Sequence, residues 1–292
     1  MKSRIYIRHI ILPVLLIICS PYDIFSQGTD ITSERHLGMF IGISSGPSQS
    51  KIINEGTSSI ANLMSVKKYS FFGSMEIGYF FSRYLGLTSG IGFNPYKGQL
   101  SLSSYQSNYD AIDSDNESYE QRVSANSIQE LQNISFLSIP LCINFRIPFG
   151  EAAGMFFQAG TDMTVPLSKD YHSSGIFTYK GFYPAYNVLF ENLPQHRFPS
   201  NYDSNADGEL ELKPFGFNII GSAGFDFSVS QKIQIAIAGV YDKSLSNISE
   251  YTSPDDFQLS SDVDQISSMM EGSTKATTQL ICLKIILRYY FR

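Results

Sequence analysis

The chain has 292 residues, a formal net charge of −6, 16% charged and 14% aromatic side chains, with 18 Tyr, 22 Phe and no Trp. So many aromatics and so little charge exclude extensive disorder, and the acidic balance leaves no basic footprint for nucleic acid. Beyond the first 26 residues no apolar run reaches the roughly 18 residues a spanning helix needs, because Lys284 and Arg288 interrupt even Leu280 to Phe291.

At the start of the chain Lys2, Arg4 and Arg8 precede an apolar stretch from Ile10 to Ile18 and then Phe25-Ser26-Gln27. This pattern predicts an export signal over residues 1–26, a short periplasmic segment over 27–35 and one β-barrel domain over 36–292. Cys19 raises lipid anchoring as the lesser alternative, since bulky Ile18 precedes it. Cys142 and Cys282 are expected as free thiols on opposite sides of the barrel, so no disulfide framework is implied.

Period-two alternation then marks eight segments: His36 to Ser45, Tyr69 to Phe81, Leu85 to Gly98, Ile134 to Ile147, Ala152 to Val165, Pro214 to Val229, Ile233 to Tyr241 and Thr278 to Arg292. Three connections are very short, at Ser82 to Tyr84, Pro148 to Glu151 and Ser230 to Lys232. The other four are long and polar, beginning near Gly46, Gln99, Pro166 and Asp242. Short turns at one end and long loops at the other predict an eight-stranded antiparallel up-and-down transmembrane β-barrel, with periplasmic turns, extracellular loops and both termini periplasmic.

The last segment separates the faces. Ile281, Leu283, Ile285, Leu287, Tyr289 and Phe291 form an apolar row suited to lipid, and Cys282, Lys284, Ile286, Arg288, Tyr290 and Arg292 lie on the other side. Gly38, Gly42, Gly78, Gly160 and Gly224 fall on the inner face, where they relieve crowding. Tyr79, Phe81, Tyr84, Phe145, Phe149 and Tyr289 to Phe291 read as one interfacial girdle, and Tyr69, Phe71, Phe93, Tyr96 and Phe215 as the other. Pro140 cannot donate to a ladder, so a bulge is expected there.

By parity the inward polar residues are Glu76, Arg146, Gln158, Asp162, Asp226, Lys284 and Arg288. Eight strands leave an interior filled by side chains, and buried charges need partners, so these residues predict a stabilising lumen network. An ion path is the sharper alternative. Asp203, Asn205 and Asp207 before Gly208 copy the start of a calcium loop, but Pro214 stands where the bidentate Glu belongs. A solvated turn competes with metal binding there, as it does for Asp113, Asp115 and Glu117. His172 beside Ser173 lacks a nucleophile turn or an orienting spacing, so no catalytic residue and no cofactor is expected.

Several segments resemble the PorT-like small outer-membrane β-barrel family. They are Phe136-Leu137-Ser138-Ile139-Pro140-Leu141, Leu37-Gly38-Met39 with Gly42, Tyr241 followed by Ser244-Leu245-Ser246-Asn247-Ile248, and Arg288-Tyr289-Tyr290-Phe291. The resemblance implies a barrel in the outer membrane of a Gram-negative bacterium that tolerates Pro140. It also implies contact with outer-membrane lipid, lipopolysaccharide and the barrel-assembly machinery. The expectation is a non-enzymatic barrel whose outer loops have a structural or interaction role. A secretion or transport component contacting envelope proteins, as associated with the family's founding member, and a lipid-modifying enzyme are the alternatives.

Overall fold

The computed structural model describes residues 37–55, 60, 63–150, 152–251, 257–263 and 265–291; the expected export and N-terminal segments over 1–35 lie outside them. Twelve strands are present among the described residues: β1 (Gly38–Glu55), β2 (Met64–Phe80), β3 (Leu85–Ile112), β4 (Ser118–Phe149), β5 (Ala153–Tyr183), β6 (Val188–Phe190), β7 (Tyr202–Glu209), β8 (Gly216–Ser228), β9 (Ile233–Ser244), β10 (Ser260–Asp262), β11 (Gln265–Ile266) and β12 (Lys275–Tyr290). Eight of them, β1, β2, β3, β4, β5, β8, β9 and β12, pair antiparallel with their neighbours. The β1–β12 ladder, from Phe40↔Tyr290 to Glu55↔Lys275, closes the ring.

The three short turns lie at the same end as Gly38 and Tyr290. In two of them a serine hydroxyl accepts backbone amides: Ser82 from Tyr84 and Leu85, and Ser230 from Lys232 and Ile233. In the third, Gly150 takes a positive φ of 67° that an L side chain disfavours.

The opposite end departs from the sequence expectation. The stretches 99–133 and 167–213 are not simple loops, because β3, β4 and β5 run for 28, 32 and 31 residues. At roughly 3.3 Å per residue these strands are about 90–105 Å long, and only about 9–11 residues are needed to cross a bilayer. The β3–β4 connection is therefore a turn over 113–117. There Asp113 Oδ1 accepts the Asp115 and Glu117 amides at 2.9 Å each, and Asn116 takes φ 62°. β6 and β7 continue the sheet along β5 beyond the point where β8 stops, at Thr164↔Gly216.

The two halves of the barrel bury opposite chemistry. Toward the short turns the outward row is apolar (Leu137, Ile139, Leu141, Ile143 and Phe145 on β4), and the inward row is polar (Ser138, Asn144 and Arg146). Toward the long hairpins the exterior is polar, and Leu100, Leu102, Tyr105, Val123, Ile128, Phe177 and Tyr179 pack inside. Ile60, Phe257, Leu259, Ile266 and Met269, from the connections ending at β2 and β12, complete that core. A lipid-facing belt thus continues into a water-facing sheet with a conventional apolar interior. A bulge at Asn126 to Gln129, with Ser127 at φ 54°, shifts the buried positions of β4 from odd numbers before it to even numbers after it.

Two further expectations are corrected. Pro140 produces no bulge: the β3–β4 register is the same at Ser89↔Leu141 and Gly92↔Ser138, and only the pairings between them are missing. A proline lacks only its own donor, and Gly90 and Ile91 pass it without an extra residue. Tyr96 does not belong to the girdle; it is fully buried inside the barrel in a T-shaped contact with Phe136.

Candidate functional site

The seven inward polar residues divide into separate groups. Glu76 on β2 receives Arg288 Nε at 2.7 Å and Lys284 Nζ at 3.0 Å, both from β12. β1 runs between those strands, with Gly42 paired to Glu76 on one side and to Arg288 on the other. A Cβ at Gly42 would stand 2.9 Å from Glu76 Cγ, so the glycine opens the gap through which the bridge passes. The same device recurs at Gly154 on β5. Arg146 on β4 reaches across it to Asp226 on β8, with Nη2–Oδ1 at 2.6 Å and Nε–Oδ2 at 2.9 Å, and a Cβ at Gly154 would stand 2.8 Å from Nη2. Arg288 also lies over the Phe40 and Phe156 rings. The fully buried Phe40, Phe80 and Tyr290 floor the barrel below it.

Gln158 accepts the Ser222 hydroxyl at 2.9 Å. One layer further from the short turns, Asp242 accepts the Tyr96 hydroxyl at 3.0 Å and the Asn218 amide at 2.7 Å. Asp162, the cross-strand pair of Asn218, is fully buried beside them.

Sequence reasoning missed the site-forming residues of the long-hairpin half, because it read 99–133 as a loop. Glu130 is fully buried there, and Gln132, Ser173, Ser268 and the Met269 amide all donate to its carboxylate, at 2.6, 3.0, 2.8 and 2.6 Å. It ties the connection before β12 to the wall, and burial pushes its carboxyl up despite these donors. The legible signal was the alternation Ile128, Glu130, Gln132, Ile134, in which an acid occupies an inward position.

At the tip of this end lies a cavity of about 690 Å³. Tyr119, Tyr183, Phe190 and Phe198 form its aromatic wall, and Tyr119 stacks on Tyr183 with ring centroids 5.2 Å apart. Asp113, Asp115, Gln121, Gln195, Arg197 and Asp262 supply its polar groups, with Arg197 paired to Asp262. The Tyr183 hydroxyl donates to Asp113 Oδ2 at 3.0 Å, and burial together with that carboxylate pushes it up to about 12. The Glu117 amide and the Tyr183 hydroxyl hold the Asp113 carboxyl below its usual range.

Asp203, Asn205 and Asp207 do not wrap a loop. They stand at alternate positions on β7, paired with Ile176, Ser174 and His172 of β5, and point to the polar exterior. A strand spaces such oxygens about 7 Å apart, too far to share one ion at 2.3–2.6 Å. Asp207 instead holds His172 Nδ1 at 2.6 Å. His172 and Ser173 face opposite sides of β5, and Ser173 bonds Glu130 inside. Cys142 and Cys282 are buried and free. Among the described residues no three His, Cys, Asp or Glu side chains are grouped to hold a metal ion.

No curated protein matches the chain. Several solved structures align with the chain at low identity. The outer membrane protein OprG from Pseudomonas aeruginosa matches at 14% identity over 90% of this chain and 100% of its own, with TM-score 0.43. Neisserial surface protein A matches at 9% over 87% and 97%, with TM-score 0.38. The outer membrane protease OmpT from Escherichia coli matches at 11% over 87% and 97%, with TM-score 0.32. The expectation of a non-enzymatic protein is corrected: one of the matched structures is that of a protease, and a fold by itself does not divide enzymes from non-enzymes. Over residues 25–250 the sequence matches the outer membrane protein beta-barrel domain, and the chain belongs to that family.

Proposed function

We propose that the protein is a surface recognition barrel of a Gram-negative outer membrane, with its long-hairpin end outside the cell and the short turns and both termini in the periplasm. The observation that carries this reading is the cavity at the hairpin tip, whose walls are held by the apolar core beneath it. Its volume is in the range of small-molecule sites. Aromatic faces beside carboxylate, amide and guanidinium groups suit a hydroxyl-rich ligand, the class to which glycans belong. Its C–H faces would pack on Tyr119, Phe190 and Phe198, and its hydroxyls would meet Asp115, Gln121, Gln195 and Asp262.

The apolar belt supports contact with membrane lipid. The strand Phe136 to Leu141 supports the narrower PorT-like placement, and a secretion role rests on that resemblance alone. The recognition reading is tested with purified protein on an immobilised glycan panel. Binding that falls at least tenfold in Gln121→Ala and Phe190→Ala supports it; no binding to any glycan, or binding unaffected by both changes, overturns it.

A further inference from the structure

The charged groups inside the apolar belt do not balance locally. Lys284 and Arg288 are engaged by Glu76, and Arg146 by Asp226. Asp162 and Asp242 have no ion-pair partner among the described residues, although each is at most 1% exposed. Neither Asp162 oxygen has a well-aligned hydrogen bond, nor does Asp242 Oδ2. The Ser138 side chain and the Ile139 amide flank Asp162, and the Asp242 carboxyl faces it. Two carboxyls so placed cannot both stay ionised without a cation between them; they then share either an ion or a proton.

Asn218 supplies an independent indication. Its Nδ2 donates to Asp242 Oδ1 at 2.7 Å, which fixes the orientation of the amide. The amide oxygen belongs to a residue whose cross-strand partner on β5 is Asp162. That oxygen is buried and unpartnered too. A buried amide oxygen without a donor is unfavourable, and it becomes favourable when it coordinates a cation.

The unpartnered atoms of this cluster are all oxygens: both from Asp162, Oδ2 of Asp242 and Oδ1 of Asn218. Its remaining acceptor, Asp242 Oδ1, is held in place by Tyr96 and Asn218. On the short-turn side the next layer holds Val240, Ser222 and Gln158, with Phe156, Ala236, Ala238 and Ile286 beyond it, and Phe136, Leu212 and Met270 lie on the other side. Oxygen-only donors carrying two carboxylates select a hard divalent ion over zinc or copper, and a ligand set of unequal reach suits calcium better than octahedral magnesium.

We propose that Asp162, Asp242 and Asn218 form an interior calcium site that joins β5, β8 and β9 inside the barrel. The site is separate from the recognition cavity and does not depend on it. Water completes its coordination, and Tyr96 acts as a positioning residue that orients Asp242.

The test uses the full chain refolded into lipopolysaccharide-free detergent micelles with calcium, with magnesium or with chelator. With calcium present at about 100 times its Kd, the unfolding equilibrium constant should fall about 100-fold. After dialysis, elemental analysis should find about one calcium per chain. Asp162→Asn and Asn218→Leu should remove both effects, whereas Asp203→Asn with Asp207→Asn, on the polar exterior, should change neither. No retained calcium in the wild type, or retention unchanged in Asp162→Asn, overturns the proposal. So does an infrared band of a protonated carboxyl that is lost in Asp162→Asn and persists in calcium, because the pair then shares a proton instead of an ion. Should Asp162→Asn fail to refold, the wild-type calcium content and its loss in Asn218→Leu decide the matter, and wild-type protein without calcium, or retention unchanged in Asn218→Leu, overturns the proposal.

Discussion

Glu76 and Arg288 stand two strands apart and meet across Gly42, with Nε 2.7 Å from Oε1, while Lys284 holds the other carboxylate oxygen. Removing the Glu76 charge leaves the buried Arg288 and the partly buried Lys284 without their counter-ion. Glu76→Gln should therefore cost about 3–5 kcal/mol, the range for breaking a buried pair. Urea unfolding in micelles measures this, and the folded fraction is also visible as heat-modifiable gel mobility.

Gly154 performs the same service for Arg146 and Asp226. Gly154→Val should push the guanidinium off Asp226 and destabilise the barrel by about 3 kcal/mol or more. In an Arg146→Met, Asp226→Leu background the same substitution should cost clearly less, since no bridge remains to be displaced. A double-mutant cycle gives the coupling, and equal costs in both backgrounds would contradict the mechanism.

Glu130 fastens the segment at Ser268 and Met269 to the wall. Glu130→Ala strands several buried donors and should loosen that segment by about 2–4 kcal/mol. Hydrogen exchange of the Ser268 to Met270 amides should quicken, while amides of β9 and β12 in the belt keep their protection.

Asp113 gives the β3–β4 turn a defined acid response. Its folded carboxyl lies below the ordinary value of 3.8, chiefly through the Glu117 amide. The unfolded turn therefore binds a proton first as pH falls. The contribution of Asp113 is full above its unfolded pKa and is lost as pH drops through the lowered folded value. Protection factors at 115–117, corrected for intrinsic exchange, should fall in that window, and Asp113→Ala should abolish the dependence.

The barrel wall was legible because one face of each belt strand is continuously apolar, as along Ile281 to Phe291, and because three turns are too short for anything but hairpins. The parity that placed Glu76, Arg146 and Arg288 inside follows from the same period. The long-hairpin half was hidden by the reversal of its faces. Once the outside becomes polar, residues such as Ser101, Gln129 and Asn133 read as loop, although Leu100, Ile128 and Ile134 between them alternate as well. The bulge at Asn126 and Ser127 breaks that alternation locally. Which partner each charge takes was not legible either, because the pairing passes over glycines of an intervening strand. The recognition cavity draws on β3, β4, β5, β6, β10 and the 3-10 turn at Pro194–His196, elements that only the closed barrel brings together.

The orientation of the barrel is the claim on which the recognition reading rests. It is tested most directly by single-cysteine labelling on intact cells with a membrane-impermeant maleimide, at Asp115→Cys on the hairpin tip and at Lys232→Cys in a short turn, both exposed positions. The native thiols Cys142 and Cys282 are buried and give the background. The account predicts labelling of Asp115→Cys on intact cells and of Lys232→Cys only after the outer membrane is permeabilised. Labelling of Lys232→Cys alone on intact cells would contradict it.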